Sequence, residues 1–107
     1  MTGSRGGGGT SPIRTRVNVS CEKLTVITVL VKPDEEVLTS IKVDDILIVQ
    51  VLDGDLVVMY GQDIVGYVDV PEKARFISCL QSGTFYVADV LSIEGFQCKV
   101  RIRVQQL

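Results

Sequence analysis

Valine and isoleucine constrain the fold of this chain more than any other feature of its sequence. Together they supply 27 of its 107 residues, and their branched Cβ atoms fit a pleated, half-buried sheet better than they fit a helix. Hydrophobic residues make up 46% of the chain, which is enough for one compact core and too little for two ordinary domains at this length. We therefore expect a single domain built mainly from β-strands.

The strands are expected to form a small barrel, because two apolar runs are almost continuous. Leu24–Val31 and Ile46–Leu52 are apolar at nearly every position, a pattern typical of a strand that is covered on both faces. The barrel interior covers one face, and a helix, an arm or a second subunit covers the other. Ile13–Val19 instead alternates apolar and polar residues, as a half-buried strand does. These patterns predict an all-β fold, a closed or partly open barrel of about six or seven strands.

Short turns divide the middle of the chain into a three-stranded meander. Asp53-Gly54-Asp55 separates Ile46–Leu52 from Leu56–Tyr60, and Asp-Gly between apolar runs is a strong hairpin signal. Gly61-Gln62-Asp63 then separates the second of these strands from Ile64–Val68. We expect the three strands to pair with one another in chain order.

One short helix is predicted near residues 71–82, after the meander. Pro71 and Glu72 suit a first helical turn, and Gly83 stands where a C-terminal cap is expected. Between them, apolar residues recur at helical spacing: Ala74, Ile77 and Leu80, with Phe76 and Cys79 beside this stripe. The stripe is expected to cap one open end of the barrel. Earlier in the chain, Asp34 is expected to cap a shorter helical turn.

The last two strands are expected to place their charged side chains outside the barrel. Thr84–Ser92 and Phe96–Val104 flank a three-residue loop that ends in Gly95, a loop typical of hairpins with a type I turn and a bulge. This loop places Asp89 on the outer face with the basic residues of the last strand. A two-residue loop at Glu94-Gly95 would turn Asp89 toward the valines of the core, where an unpaired carboxylate costs several kcal/mol.

Five basic residues form a candidate binding site, which we call the basic stripe. They occupy alternate positions in the first and last predicted strands, which often pair when a barrel closes: Arg14, Arg16, Lys99, Arg101 and Arg103. Phe85 lies in the neighbouring strand, and arginines beside an aromatic ring suit a groove for single-stranded nucleic acid. The alternative is a solvated strand face that protects a sheet edge, with Asp89 neutralising part of its charge. The net charge of −2 provides no global attraction to nucleic acid.

The residue types that carry most catalytic and metal chemistry are missing. The chain has no histidine, which removes the commonest general base and the commonest metal ligand. Its three cysteines, Cys21, Cys79 and Cys98, form no C-x-x-C pair, so neither a zinc site nor a thioredoxin-like centre has the required spacing. Each cysteine is expected to be a small core hydrophobe. We expect no enzymatic activity and no catalytic, cofactor-binding or metal-binding residue.

The N-terminal segment and the cysteine count predict a cytoplasmic protein. Residues 1–12 hold five of the ten glycines and no targeting signal, so we expect a disordered tail before a barrel domain of residues 13–107. No apolar run approaches the roughly 20 residues of a membrane span, and we expect no membrane association. The odd number of cysteines argues for a reducing compartment.

Part of the chain resembles a known family of small β-barrels. Val65-Gly66-Tyr67-Val68 is followed by a proline, a helix and a hairpin rich in valine, isoleucine and arginine, with further matches at Pro71-Glu72-Lys73-Ala74-Arg75, Leu80 and Gly83. This order resembles the second half of HIRAN domains. The resemblance covers Leu56–Val104 and implies a barrel fold, and some HIRAN domains hold the end of single-stranded DNA. The N-x-x-D element of that family is missing before Leu56, so its DNA-end site is not carried over.

Two functions follow from these patterns. The first is a non-catalytic module for protein interaction or assembly, and the two apolar runs predict a homo-oligomer. The second is a HIRAN-like module that binds single-stranded nucleic acid through the basic stripe and Phe85. Another kind of barrel stays open for the fold, since Lys42-Val43-Asp44-Asp45 is similar to a strand start in other small barrels.

Overall fold

A computed structural model describes residues 20–105 of the chain. Six antiparallel strands form one sheet that curls into a half-barrel, so the expected small β-barrel architecture is confirmed. In chain order the strands are β1 Val26–Val29, β2 Ile46–Leu52, β3 Asp55–Tyr60, β4 Asp63–Tyr67, β5 Tyr86–Glu94 and β6 Gln97–Val104. The predicted strand Ile13–Val19 and the predicted tail of residues 1–12 lie outside the described residues.

Helical elements fill the connections between the strands. They are a 3-10 turn at Ser20–Lys23, helix α1 at Glu35–Leu38 and helix α2 at Lys73–Gln81. Asp34 caps α1 as expected, because its side chain accepts hydrogen bonds from the backbone N–H groups of Glu36 and Val37 at 3.0 and 3.1 Å. Gly83 follows α2 with a φ of 105°, a left-handed conformation that ends the helix at the predicted place.

The sheet runs in the order β1-β6-β5-β2-β3-β4, and its second half is the predicted meander. The β2–β3 turn consists of Asp53 and Gly54, whose φ values of 53° and 83° are both positive. Two positive φ values are what a two-residue type I′ hairpin requires. The turn therefore fixes Leu52 opposite Asp55 and sets the register of β2 on β3.

The β5–β6 hairpin has the predicted orientation but not the predicted loop. Its turn is the two-residue pair Gly95-Phe96. Because side chains alternate between the two faces of a strand, this turn alone would place Asp89 on the inner face. Leu91 is an extra residue in β5 with no partner in the β5–β6 register. This bulge shifts the alternation of faces by one residue. Asp89 therefore lies opposite Arg101 on the outer face, as predicted.

The two edge strands of the sheet meet at one point. Val31, two residues after β1, exchanges backbone hydrogen bonds of 2.8 and 2.9 Å with Tyr67 at the end of β4. Gly66 permits this approach, because a Cβ added there would lie 2.9 Å from the Cβ of Leu30 and 3.3 Å from the carbonyl oxygen of Val31. The glycine of the Val-Gly-Tyr motif thus allows the sheet to curl until its edges touch.

Most buried apolar side chains belong to one cluster inside the curl of the sheet. Helix α2 contributes Phe76 and Cys79, which are 0% and 5% exposed, and the ring of Phe76 meets that of Tyr86 edge-to-face with centroids 4.9 Å apart. Ala74, which the sequence placed in the apolar stripe, is exposed. It lies about 160° around the helix axis from Phe76, so the larger side chain determines which face is buried.

Cys21 and Cys79 form a disulfide, so the prediction that all three cysteines are free core side chains is wrong for two of them. The bond joins the 3-10 turn to α2 across 58 residues, with Cα atoms 5.8 Å apart. Cys98 is free and fully buried, as predicted. Disulfides persist mainly in oxidising compartments, so the cysteines no longer argue for a reducing one.

Candidate functional site

The register of the sheet determines which side chains are neighbours on its outer face. Paired residues on adjacent strands share a face, so rows of side chains cross the sheet. One row crosses β6, β5, β2, β3 and β4 through Arg103, Val87, Ile48, Met59 and Ile64. The adjacent row crosses β1, β6, β5 and β2 through Ile27, Arg101, Asp89 and Ile46. We call the four residues Val87, Ile48, Met59 and Ile64 the outer apolar row.

The outer apolar row and Ile46 form a hydrophobic strip on the outside of the sheet. Val87 and Met59 are 3% and 9% exposed, whereas Ile48 is 46% exposed and Ile46 is 60% exposed. The continuous apolar run predicted that β2 is covered on both faces. Within residues 20–105 the core covers the face that carries Leu47 and Val49 and leaves Ile46 and Ile48 exposed, so cover of the second face by an arm or a second subunit stays a prediction.

Strand β1 shows the same arrangement at the other side of the sheet. Ile27 and Val29 are 54% and 42% exposed, and they lie opposite Arg101 and Lys99 of β6. Within the described residues, β1 therefore buries one of its two apolar faces, and its other face lies next to basic side chains.

Three residues of the basic stripe lie together on the outer face of β6, at Lys99, Arg101 and Arg103. Strand β1 pairs with one edge of β6 over Lys99–Ile102, and β5 pairs with the other. Because both edges are filled, the predicted pairing of Ile13–Val19 with this part of the last strand is wrong. Arg14 and Arg16, the other two residues of the stripe, lie outside the described residues.

Asp89 binds both arginines of β6 and neutralises part of their charge. Arg103 donates through Nε and Nη2 to the two carboxylate oxygens at 2.6 and 2.9 Å, and Arg101 donates through Nε at 3.4 Å. The Asp89 side chain is only 14% exposed. The hydrogen bond from Arg103 is the main reason that the pKa of Asp89 lies below its ordinary value, and burial acts in the opposite direction. The geometry is that of a bidentate ion pair on a strand face.

We expect Asp89→Asn to reduce stability by about 1 kcal/mol at neutral pH. A lowered pKa means that the folded state favours the carboxylate, so this stability is present above the unfolded-state pKa of about 4 and is lost as the pH falls through the folded-state pKa. Urea unfolding of both proteins between pH 7 and pH 2 should show two stabilities that converge in acid. In an Arg103→Gln background the same substitution should cost less. A difference that is independent of pH would contradict the ion pair.

Phe85 lies beside the basic stripe and at the rim of a groove. Its carbonyl oxygen accepts a hydrogen bond of 2.8 Å from the Gln105 N–H, so its side chain shares the outer face with Arg103, diagonally across the pair of strands. Phe85 is 67% exposed.

A groove of about 350 Å³ opens next to Phe85, between β2 and α2, and we call it the β2 groove. Its lining consists of Ile48, Val49, Gln50, Val51, Leu80, Gln81 and Phe85.

The β2 groove is not apparent from the sequence, because the groove depends on where two strands stop pairing. The β2–β5 register ends at Ile48 opposite Val87, although β2 continues to Leu52. Gly83, which ends α2 and redirects the chain into β5, was the one available signal for this opening.

A second cavity lies at the seam where Val31 meets Tyr67. It has a volume of about 330 Å³, and its charged lining residues are Lys32, Asp55, Asp69 and Lys73. Lys73 pairs with Asp55 at 3.4 Å. Two positive and two negative groups give this cavity no preference for an ion of either sign.

The remaining chemical groups of the described chain are few. Burial raises the pKa of the Cys98 thiol, which keeps it in the less reactive protonated form. Across residues 20–105, the acidic residues and cysteines nowhere come together in a group of three that would suit a metal ion. The same residues contain no helix with the length and hydropathy needed to cross a membrane.

Comparison of the sequence with models of protein families and with curated proteins, and of the fold with solved structures, finds no match.

Proposed function

We propose that this chain is a non-catalytic interaction module that assembles with copies of itself through the outer apolar row. The observation that carries the proposal is the exposure of Ile46 and Ile48 on a regular strand whose alternate residues fill the core. Single exposed apolar residues are ordinary, but Ile46 and Ile48 follow each other on the outer face of β2, and Ile48 lines a groove together with the exposed Phe85. A contiguous exposed apolar patch of this kind is typical of an interface.

The surroundings of the row also suit an interface. The charged trio Asp89, Arg101 and Arg103 borders the strip on the β6 side, and a polar rim around an apolar centre is the usual anatomy of a protein–protein contact. Two copies that meet by this face present the same patch to each other, as a twofold dimer requires.

Sedimentation equilibrium between about 1 and 100 μM tests the proposal, a range in which a modest interface of this kind assembles. We expect the wild type to exceed its monomer mass of 11.7 kDa and Ile48→Asp to remain monomeric, because a charge buried in an apolar contact is costly. The matched control is Gln97→Asp, which adds the same charge at the exposed start of β6, outside the strip, and should leave assembly intact. A wild type that stays monomeric over the whole range would contradict self-assembly.

The second candidate function is single-stranded nucleic-acid binding, and the exposed Phe85 beside Arg103 supports it. Lys99, Arg101 and Arg103 together carry three positive charges against one on Asp89, and the HIRAN-like order of elements fits the same role. We expect weak binding or none, because Asp89 occupies Arg103. A titration with oligo-dT decides the matter: a Kd below about 1 μM in about 0.15 M salt, falling steeply with added salt, would favour this candidate. Arg101→Glu/Arg103→Glu would then abolish the binding.

A further inference from the structure

The β2 groove exposes an unfilled sheet edge. Leu52 and Asp55 close a two-residue hairpin and therefore bond to each other. Backbone groups along a strand point alternately to its two sides, so the N–H and C=O of Val51 point away from β3 and into the groove. Within the described part of the chain, the register of β5 on β2 stops before Val51.

The walls of the groove are mostly apolar. Leu80 comes from the last turn of α2, and Phe85 comes from the residue just before β5. Val49 and Val51 form the strand side. Leu80 packs against the core, whereas Phe85 lies on the outer face. A free backbone edge with an apolar wall on its core side fits an extended segment with an apolar side chain at every second position, which is how a strand is added to a sheet.

Both contacts of Cys21 lie next to these walls. Its sulfur is bonded to Cys79, the neighbour of Leu80, and its carbonyl oxygen accepts a hydrogen bond of 2.6 Å from the hydroxyl of Tyr86, the neighbour of Phe85. Residues that precede Cys21 therefore start beside the groove. Val19 is two residues away, within about 7 Å of Cys21 along an extended chain.

We propose that the chain's own segment Ile13–Val19 fills the β2 groove as an added strand. The segment lies outside the described residues, and its sequence has the required period of two: Ile13, Thr15, Val17 and Val19 share one face, and Arg14, Arg16 and Asn18 share the other. The apolar face fits Leu80 on the core side of the sheet, and the arginines lie on the outer side with the exposed ring of Phe85. The edges of β6 are filled over Lys99–Ile102, so the segment finds its free edge on β2 instead.

Amide hydrogen exchange of the full, oxidised chain, resolved by NMR, tests this docking. The Val51 amide should exchange slowly in the wild type and at least about tenfold faster in Val17→Asp, because a carboxylate among apolar walls opens the strand. Asn18→Asp is the matched control, since it adds the same charge one residue away on the opposite face. The Val100 amide, in the buried centre of β6, should stay protected in all three proteins and show that the fold is intact.

Three outcomes would overturn the proposal. A Val51 amide that exchanges at the rate of an unstructured peptide in the wild type would mean that the groove is empty, or waits for a foreign segment. Equal exchange in Val17→Asp and Asn18→Asp would mean that something other than this face of the segment protects β2. Protection that grows with protein concentration would assign the groove to a second copy. The proposal does not depend on self-assembly through the outer apolar row, because docking within one chain leaves the sedimentation result unchanged.

Discussion

Removing the Cys21–Cys79 disulfide is expected to lower the free energy of unfolding by about 4 kcal/mol. The bond spans 58 residues, and a cross-link over so long a loop excludes many conformations of the unfolded chain. The folded structure already holds Cys21 in place, because the Tyr86 hydroxyl donates to its carbonyl oxygen. A loss of this size lowers the melting temperature of a domain of this length by roughly 15–30 °C.

Thermal unfolding of the oxidised wild type, the reduced wild type and Cys21→Ala/Cys79→Ala measures this contribution. The last two should unfold at similar temperatures, and a reducing agent should leave the double variant unchanged. A thiol titration of the unfolded wild type should find one thiol before reduction and three after it. Three thiols in the protein as purified from an oxidising environment, or equal stabilities of all forms, would contradict the disulfide.

The disulfide shows a limit of reasoning from residue spacing. C-x-x-C motifs are visible in a sequence because the chain itself brings their sulfurs together. Cys21 and Cys79 meet only because α2 covers the end of the barrel where the 3-10 turn lies. Which cysteines pair depends on the tertiary fold, so cysteine count and spacing indicated a reducing compartment where the structure has a cross-link.

The β5–β6 hairpin shows which part of a local prediction is dependable. The cost of burying a carboxylate decided correctly that Asp89 faces outward. That cost depends on the parity of the hairpin, and two backbone arrangements give the same parity. A three-residue loop is one, and a two-residue turn at Gly95-Phe96 with a bulge at Leu91 is the other. Energetic arguments about faces are therefore stronger than assignments of turn length.

The candidate site was predictable on its own strand and unpredictable across strands. Alternation placed Lys99, Arg101 and Arg103 on one face of β6, and hairpin parity added Asp89, as the structure has them. The pairing of Ile13–Val19 with β6 required a choice among sheet edges, and β1 takes that edge. Periodicity indicates which face of a strand is apolar, but it does not indicate what covers that face or which strand lies beside it.

Phe76→Ala is the core substitution with the largest expected effect, a loss of about 3–5 kcal/mol in the free energy of unfolding. The ring is fully buried and meets Tyr86 edge-to-face. Removing it leaves a cavity between α2 and the barrel. The helix cannot move inward to close this cavity, because the disulfide at Cys79 holds it in place. Urea unfolding of the oxidised protein measures the loss. Phe96→Ala deletes the same ring from a residue that is 62% exposed and should change stability by less than about 0.5 kcal/mol.

A double-mutant cycle with Tyr86→Phe separates ring packing from the hydrogen bond to Cys21. Tyr86→Phe alone removes a donor at 2.6 Å from the Cys21 carbonyl and should cost about 1 kcal/mol. When Phe76 is also replaced by alanine, the Tyr86 ring loses the partner that orients it, so the hydroxyl should matter less and the two losses should not add. Additive losses would mean that the Cys21 anchor and the helix cap are independent. A Phe76→Ala loss below about 1 kcal/mol, the average cost of a point mutation, would mean that α2 does not close the barrel at all.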